Sequence, residues 1–130
     1  MTLPLATVLI VDDQPATLQQ WTSLFEENGA QVIAVNNGFK AIEVCETILP
    51  DLILSDLDMP QMDGFELIKR IKDNTATQDI PIIICSGTTD VTSKFLCSTL
   101  GAAAYIDKPL SLEPLMNALE HSSKALPSVA

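Results

Sequence analysis

Short apolar runs alternate with helical periodicity along nearly the whole chain, and this alternation limits the fold more than any other feature. Five such runs are found, at residues 7–11, 31–35, 52–54, 82–85 and 103–106. Each is followed by apolar residues at the spacing of a helix face. Nearly continuous apolar strands are buried on both faces and, when parallel, need crossover helices. The pattern therefore predicts an α/β fold, a doubly wound parallel sheet with helices on both faces.

The length of the chain suits one such domain. With 130 residues, of which 47% are hydrophobic, the chain can bury a full core and has little left over for a second one. We expect residues 1–121 to form the domain and residues 122–130 to be a short tail or the stub of a linker.

The second and fourth predicted helices are each marked by apolar side chains at helical spacing. The second is expected to end near Pro50 and the fourth near Gly101. The side chains that mark the second helix are Phe39, Ile42, Val44, Cys45 and Ile48, and those that mark the fourth are Val91, Phe95, Leu96 and Leu100.

Composition narrows the setting in which the protein acts. No apolar run is long enough to span a membrane, and the first residues do not form a signal peptide, so we expect a cytoplasmic protein. The three cysteines, at positions 45, 85 and 97, lie among apolar neighbours, which favours buried thiols in a reducing compartment. A net charge of −10 repels nucleic acid and anionic lipid, so neither is an expected partner.

Polar side chains follow four of the five predicted strands. Asp12 and Asp13 follow the first, Asp56 the third, Ser86 the fourth and Lys108 the fifth. Because the carboxyl ends of parallel strands open onto one crevice, we expect these side chains to meet.

Each of these residues has an ordinary structural interpretation when it is taken alone. Asp12 or Asp13 is suited to cap a helix, Asp56 to begin an Asx turn and Ser86 to cap the fourth helix, while Lys108 could be a solvated charge. Together, however, three carboxylates in one crevice repel one another unless one is protonated or a cation binds. Carboxylate oxygens suit Mg²⁺, and the cluster therefore predicts a divalent metal site.

The same residues suit phosphoryl chemistry. A carboxylate can attack phosphorus and form an acyl phosphate, and the phosphoryl oxygens then need cationic and hydroxyl donors. Lys108 and Ser86 are residues of those two kinds.

Four motifs in order resemble a known family, the receiver domain of two-component response regulators. They are VDDQ at 11–14, SDLDMPQMDG at 55–64, SGTTD at 86–90 and AYIDKPL at 104–110. The resemblance covers residues 6 to about 121, and it implies a flavodoxin-like (βα)5 domain with strand order 2-1-3-4-5.

The resemblance also implies a role for each site residue. Asp56 matches the phosphoacceptor, Lys108 the lysine that pairs with the phosphoryl group, and Ser86 the hydroxyl that moves toward it. Tyr105 matches the aromatic residue that changes rotamer, and Lys108–Pro109 the family's cis peptide bond. The ligands of Mg²⁺, or of Mn²⁺, are matched by Asp12, Asp13, Asp56 and the backbone carbonyl of Asp58.

Partners and regulation follow from the same resemblance. The phosphoryl donor would be a histidine kinase or a histidine phosphotransfer protein, and the domain would catalyse only its own modification. A downstream protein would bind the surface of the fourth helix, fifth strand and fifth helix, and the domain would be a monomer or weak dimer. We further expect the Asp58 side chain to alter the autodephosphorylation rate, and Gly64 to supply conformational freedom.

Other readings stay open at this point. Asp56-Leu57-Asp58 also fits a haloacid-dehalogenase-type phosphatase, although the acid pair precedes this motif and the chain has no room for a cap domain. In a flavodoxin-like nucleotide binder, Asp12 and Asp13 would repel phosphate. A degenerate receiver would serve only as an interaction module. We expect His121 to be a surface residue and not a phosphodonor.

Overall fold

Five strands and five helices alternate along residues 3–121, the part of the chain that the computed structural model describes. This order confirms the α/β class predicted from the alternating periodicity, while the expected tail at 122–130 lies outside the described residues. The strands are β1 Thr7–Val11, β2 Gln31–Val35, β3 Leu52–Ser55, β4 Ile82–Ser86 and β5 Ala104–Asp107. The helices are α1 Pro15–Glu27, α2 Gly38–Cys45, α3 Gly64–Asp73, α4 Val91–Leu100 and α5 Leu112–His121.

The strands form one parallel sheet in the order β2-β1-β3-β4-β5, as the resemblance implies. β1 lies between β2 and β3. The chain passes from β1 to β2 on one side and then crosses to β3 on the other side, so the order of the strands reverses between β1 and β3. In register, Val11 pairs with Val35 on one side and with Ser55 on the other. The loops that follow β1 and β3 are therefore neighbours at the carboxyl edge of the sheet.

The sheet separates two apolar clusters because successive side chains of a strand point to opposite faces. Val8 and Ile10 of β1 pack with helices α1 and α5, where Trp21 is the largest buried side chain. Leu9 and Val11 face the other cluster, which α2, α3 and α4 cover. Helices on both faces bury the central strands β1, β3 and β4, as the continuous apolar runs predicted, whereas the edge strands β2 and β5 stay partly exposed.

The apolar residues that predicted α4 do not face the core. Val91, Phe95 and Leu96 are 80%, 73% and 41% exposed, whereas Cys97 is the buried residue of this helix. Leu100 packs partly against the second cluster. The helix exists where the spacing placed it, but a large part of its apolar surface faces solvent.

The second helix is shorter than expected. It ends at Cys45 instead of near Pro50, and the expectation that its apolar face continues to Ile48 is wrong. A residue that precedes proline is disfavoured in the helical region, so Leu49 cannot easily extend the helix. Phe39 and Ile48 are 48% and 44% exposed, and the apolar side chains of this helix that are buried are Ala41 and Cys45.

Two further expectations concern the cysteines and the membrane. Cys45, Cys85 and Cys97 are buried free thiols, as predicted. Within residues 3–121, none of the helices has the length and apolar character that crossing a membrane requires.

Candidate functional site

Three carboxylates meet at the carboxyl edge of the sheet. Asp12 and Asp13 follow β1, Asp56 follows β3, and one ligand atom from each lies within 4.8 Å of the others. Asp12 is fully buried, Asp56 is 5% exposed and Asp13 is half-buried. The crevice expected from the strand order therefore exists and is strongly acidic.

The buried carboxylate of Asp12 is held from two sides. Its Oδ1 accepts a hydrogen bond of 2.7 Å from the backbone N–H of Gln14, at the start of α1. Its Oδ2 accepts one of 3.0 Å from the Lys108 ammonium. Asp12 thus has two roles. It forms the turn at the start of the helix and belongs to the charge cluster.

Lys108 is the cation of the crevice. Its Nζ lies 3.5 Å from Asp56 Oδ1 in addition to its bond to Asp12, and its side chain is 26% exposed. Burial alone would lower the pKa of this ammonium, but the hydrogen bond to Asp12 and the charge of Asp56 outweigh burial, so the pKa is raised. The Lys108–Pro109 peptide bond is cis, as the resemblance implies.

Asp56 sits at the point where a buried strand ends. Burial raises the pKa of its carboxyl; the nearby Lys108 charge offsets part of this effect and Asp12 adds to it. The Leu57 N–H donates to Asp56 Oδ1 at 2.8 Å, which fixes the carboxylate against its own loop.

Gly64 has a different role from the one expected. It is not among the described glycines with positive φ, so conformational freedom is not the reason for glycine here. A Cβ at this position would lie 2.8 Å from the Asp56 carbonyl oxygen and 2.8 Å from Leu57 Cα. The Gly64 N–H also donates to the Leu57 carbonyl at 2.8 Å. Glycine therefore permits the start of α3 to pack directly on the loop that carries Asp56.

A hydrogen-bonded group joins the loops after β3 and β4. Ser86 Oγ lies 3.4 Å from Asp58 Oδ2, and Thr88 Oγ1 donates to the same oxygen at 2.7 Å. The Tyr105 hydroxyl donates to the Thr88 carbonyl. Sequence reasoning missed Thr88, because a threonine in the turn-forming segment SGTTD has no feature that sets it apart from its neighbour Thr89.

One alternative role considered for Ser86 does not occur. The N-cap of α4 is Asp90, whose side chain accepts from the Ser93 N–H at 3.1 Å, so Ser86 does not cap that helix. His121 is exposed at the end of α5, as expected, with its Nδ1 2.7 Å from the Asn117 carbonyl.

The cluster fits a hard divalent cation. Three carboxylates with one ammonium leave an excess of negative charge, and the ligand atoms are close enough to share one ion. The half-buried Asp13 keeps one side of the cluster open to solvent, which suits Mg²⁺ because this ion retains several waters. The acidic cluster can therefore hold a metal ion.

Comparison with known proteins identifies the arrangement. The family model of the response regulator receiver domain matches residues 8–120. The chain belongs to the response regulator receiver family. The flavodoxin-like sheet and the acid cluster at its carboxyl edge both agree with this family assignment.

Relatives show that this receiver domain resembles both short proteins and parts of long ones. Protein PilH of Pseudomonas aeruginosa is 31% identical over 115 residues, covering 88% of this chain and 95% of PilH. A probable cyclic di-GMP phosphodiesterase of Vibrio cholerae is 35% identical over 119 residues, but the match spans 89% of this chain and only 26% of that protein.

A solved structure extends the likeness to three dimensions. The signal receiver domain of a signal transduction histidine kinase from Syntrophus aciditrophicus has a TM-score of 0.81 and 30% identity, and the match covers 96% of this chain and 97% of that one. Membership of the receiver family identifies the chain as a signalling domain, and it removes the phosphatase and nucleotide-binder readings.

Proposed function

We propose that residues 1–121 form a phosphorylation-activated switch, in which Asp56 accepts a phosphoryl group from a histidine kinase or a histidine phosphotransfer protein. The observation that carries this proposal is the position of Asp56, which is nearly buried, 3.5 Å from the Lys108 ammonium and within one acid cluster. Family membership over residues 8–120 supports it.

The transfer is a displacement at phosphorus. A carboxylate oxygen of Asp56 attacks the phosphorus of a phosphohistidine, the new O–P bond forms as the N–P bond breaks, and the imidazole nitrogen keeps the electron pair. Lys108 already lies against Asp56 and pairs with a phosphoryl oxygen. Hydrolysis reverses the modification when water attacks phosphorus and the Asp56 carboxylate leaves.

Asp12, Asp13, Asp56 and the backbone carbonyl of Asp58 would hold Mg²⁺ or Mn²⁺, which when bound supplies positive charge for the phosphoryl oxygens. Without a cation, the negative charge of the incoming group adds to that of three carboxylates. Asp12 has both oxygens engaged, by Gln14 and Lys108, and so orients the lysine as well as contributing to the cluster.

The consequence of modification is a change of conformation. Ser86 Oγ lies 3.4 Å from Asp58 Oδ2, too long for a strong bond, and accepts the Thr88 N–H at 3.1 Å, so it would move to a phosphoryl oxygen together with the loop after β4. The Tyr105 hydroxyl is bonded to Thr88 in the loop between β4 and α4, and Tyr105 would change rotamer as this loop moves. A downstream protein would then bind the face formed by α4, β5 and α5, and we place this monomeric or weakly dimeric domain in the cytoplasm.

The test is chemical phosphorylation. The protein is incubated with Mg²⁺ and acetyl phosphate or phosphoramidate, quenched in acid and measured by intact mass. One phosphoryl adduct is expected on wild type, none on Asp56→Asn and none with a chelator. Asp73→Asn, which removes an exposed acid at the end of α3, is the matched control and keeps the adduct. A folded wild type without an adduct would contradict the proposal and favour a phosphorylation-independent interaction module.

A further inference from the structure

Every polar group of Thr88 is bonded to a different residue of the site. Its N–H donates to Ser86 Oγ at 3.1 Å, its carbonyl accepts from the Tyr105 hydroxyl, and its Oγ1 donates to Asp58 Oδ2 at 2.7 Å. One residue thus connects the side chains of Ser86, Asp58 and Tyr105.

The bonds to Asp58 are unequal in length. At 2.7 Å the Thr88 bond is a short hydrogen bond to a charged acceptor, whereas the Ser86 contact with the same oxygen is 3.4 Å. Asp58 belongs to the loop after β3 and Thr88 to the loop after β4, 30 residues later. Asp58 thus has two side-chain contacts with the segment 86–88, and the hydrogen bond from the Thr88 hydroxyl is the stronger of the two.

We propose that Thr88 is a positioning residue, whose hydroxyl bond to Asp58 holds the β4–α4 loop in its resting arrangement and thereby controls how readily Ser86 turns toward Asp56. The inference rests on the proposed phosphorylation of Asp56. It concerns the Asp58 side chain, and leaves the backbone carbonyl of that residue to the metal.

The physical argument is one of populations. In the resting arrangement Ser86 Oγ accepts the Thr88 N–H and faces Asp58, so turning toward Asp56 requires the loop to move. Any bond made only in the resting arrangement lowers the population of the other one. Loss of the Thr88 hydroxyl removes such a bond, and the same movement would free the Tyr105 hydroxyl from the Thr88 carbonyl.

Thr88→Val tests the proposal because valine matches threonine in shape and lacks the hydroxyl. Since Asp58 is exposed, we expect phosphorylation by acetyl phosphate to become about twofold to tenfold faster, the effect of one hydrogen bond of modest strength. Thr88→Ser keeps the hydroxyl and should restore the wild-type rate. Thr89→Val, the same change at the exposed neighbouring residue, is the matched control and should leave the rate unchanged.

A double-mutant cycle separates this role from a general loosening of the loop. Asp58→Ala breaks the same bond from its other end, so Thr88→Val should have no further effect in an Asp58→Ala background. Circular dichroism and urea unfolding establish that each variant is folded. An unchanged rate in Thr88→Val, or an equal effect of Thr88→Val in both backgrounds, would overturn the proposal. Absence of an adduct on wild type would instead reject the proposed function, and this inference with it.

Discussion

Replacing Gly64 with alanine should test how tightly α3 packs against the phosphoacceptor loop. The new Cβ would lie 2.8 Å from the Asp56 carbonyl oxygen and from Leu57 Cα, and 3.0 Å from Leu57 Cδ1. Because two of these atoms belong to the backbone, the loop and the helix must separate by about 0.6 Å to reach an ordinary contact of 3.4 Å. The Gly64 N–H bond to Leu57 would lengthen with them.

The expected cost follows from that displacement. Overpacking of this kind destabilises proteins by about 1–3 kcal/mol, and the better helix propensity of alanine offsets less than about 1 kcal/mol at the first residue of a helix. We expect Gly64→Ala to lower the free energy of unfolding by about 1–2 kcal/mol, with a fall in Tm of roughly 4 °C for each kcal/mol.

Urea unfolding followed by far-ultraviolet circular dichroism measures this change. Gly87→Ala is the matched control, because a Cβ at Gly87 would meet no atom within 4 Å. That variant should be between unchanged and about 1 kcal/mol more stable, since alanine restricts the unfolded chain.

Gly64→Ala should also slow the phosphorylation of Asp56. Movement of the loop that carries Asp56 alters its 3.5 Å distance to the Lys108 ammonium, and misplacement of a reacting group by less than 1 Å is enough to slow phosphoryl transfer by about tenfold. A Gly64→Ala protein that is as stable as wild type and forms the Asp56 adduct at the wild-type rate would refute the close-packing argument.

Three further predictions concern the metal, the thiols and α4. Mg²⁺ should raise the Tm of wild type, and Asp13→Asn should reduce that rise, because a carboxylate of the cluster is lost; equal rises in thermal scans would contradict this. Burial raises the pKa of Cys45 and of Cys97 to about 11, above the ordinary 9.0, so protonated thiols stabilise the fold fully below pH 9. This stability should be lost between pH 9 and about 11, at up to about 1.4 kcal/mol per pH unit for each thiol, and Cys45→Ala should flatten the decline in urea titrations. Phe95→Ser, at a residue 73% exposed, should change unfolding free energy by less than about 0.5 kcal/mol, whereas Cys97→Ser should cost about 1–3 kcal/mol; equal values would show that α4 is oriented differently.

Periodicity predicted where the elements lie more reliably than which way they face. The spacing of Val91, Phe95 and Leu96 identified α4, yet these residues are largely exposed and Cys97 makes the core contact. A helix that leaves much of its apolar surface in solvent has the same pattern as one that buries it. The sequence alone therefore could not fix the orientation of this helix about its axis.

The sequence predicted which residues form the candidate site, but not which contacts they make with the surrounding loops and helix. Parallel strands bring their carboxyl ends together, so the meeting of Asp12, Asp56 and Lys108 followed from topology. The contact of Thr88 with Asp58 depends on how two loops fold against each other, and the closeness of Gly64 to the Asp56 backbone depends on helix packing. Neither has a local sequence signal beyond a turn-forming composition.

The ion pair between Asp12 and Lys108 joins residues 96 positions apart in the chain. Asp12 follows the first strand to be synthesised, whereas Lys108 follows the last, which lies at the edge of the sheet and pairs with β4. During synthesis the three acids would thus exist before the cation that compensates them, and their mutual repulsion opposes early closure of the crevice. Emergence of the final strand and the lysine behind it relieves part of that repulsion, so the crevice gains the positive charge of Lys108 only when nearly the whole domain has been made.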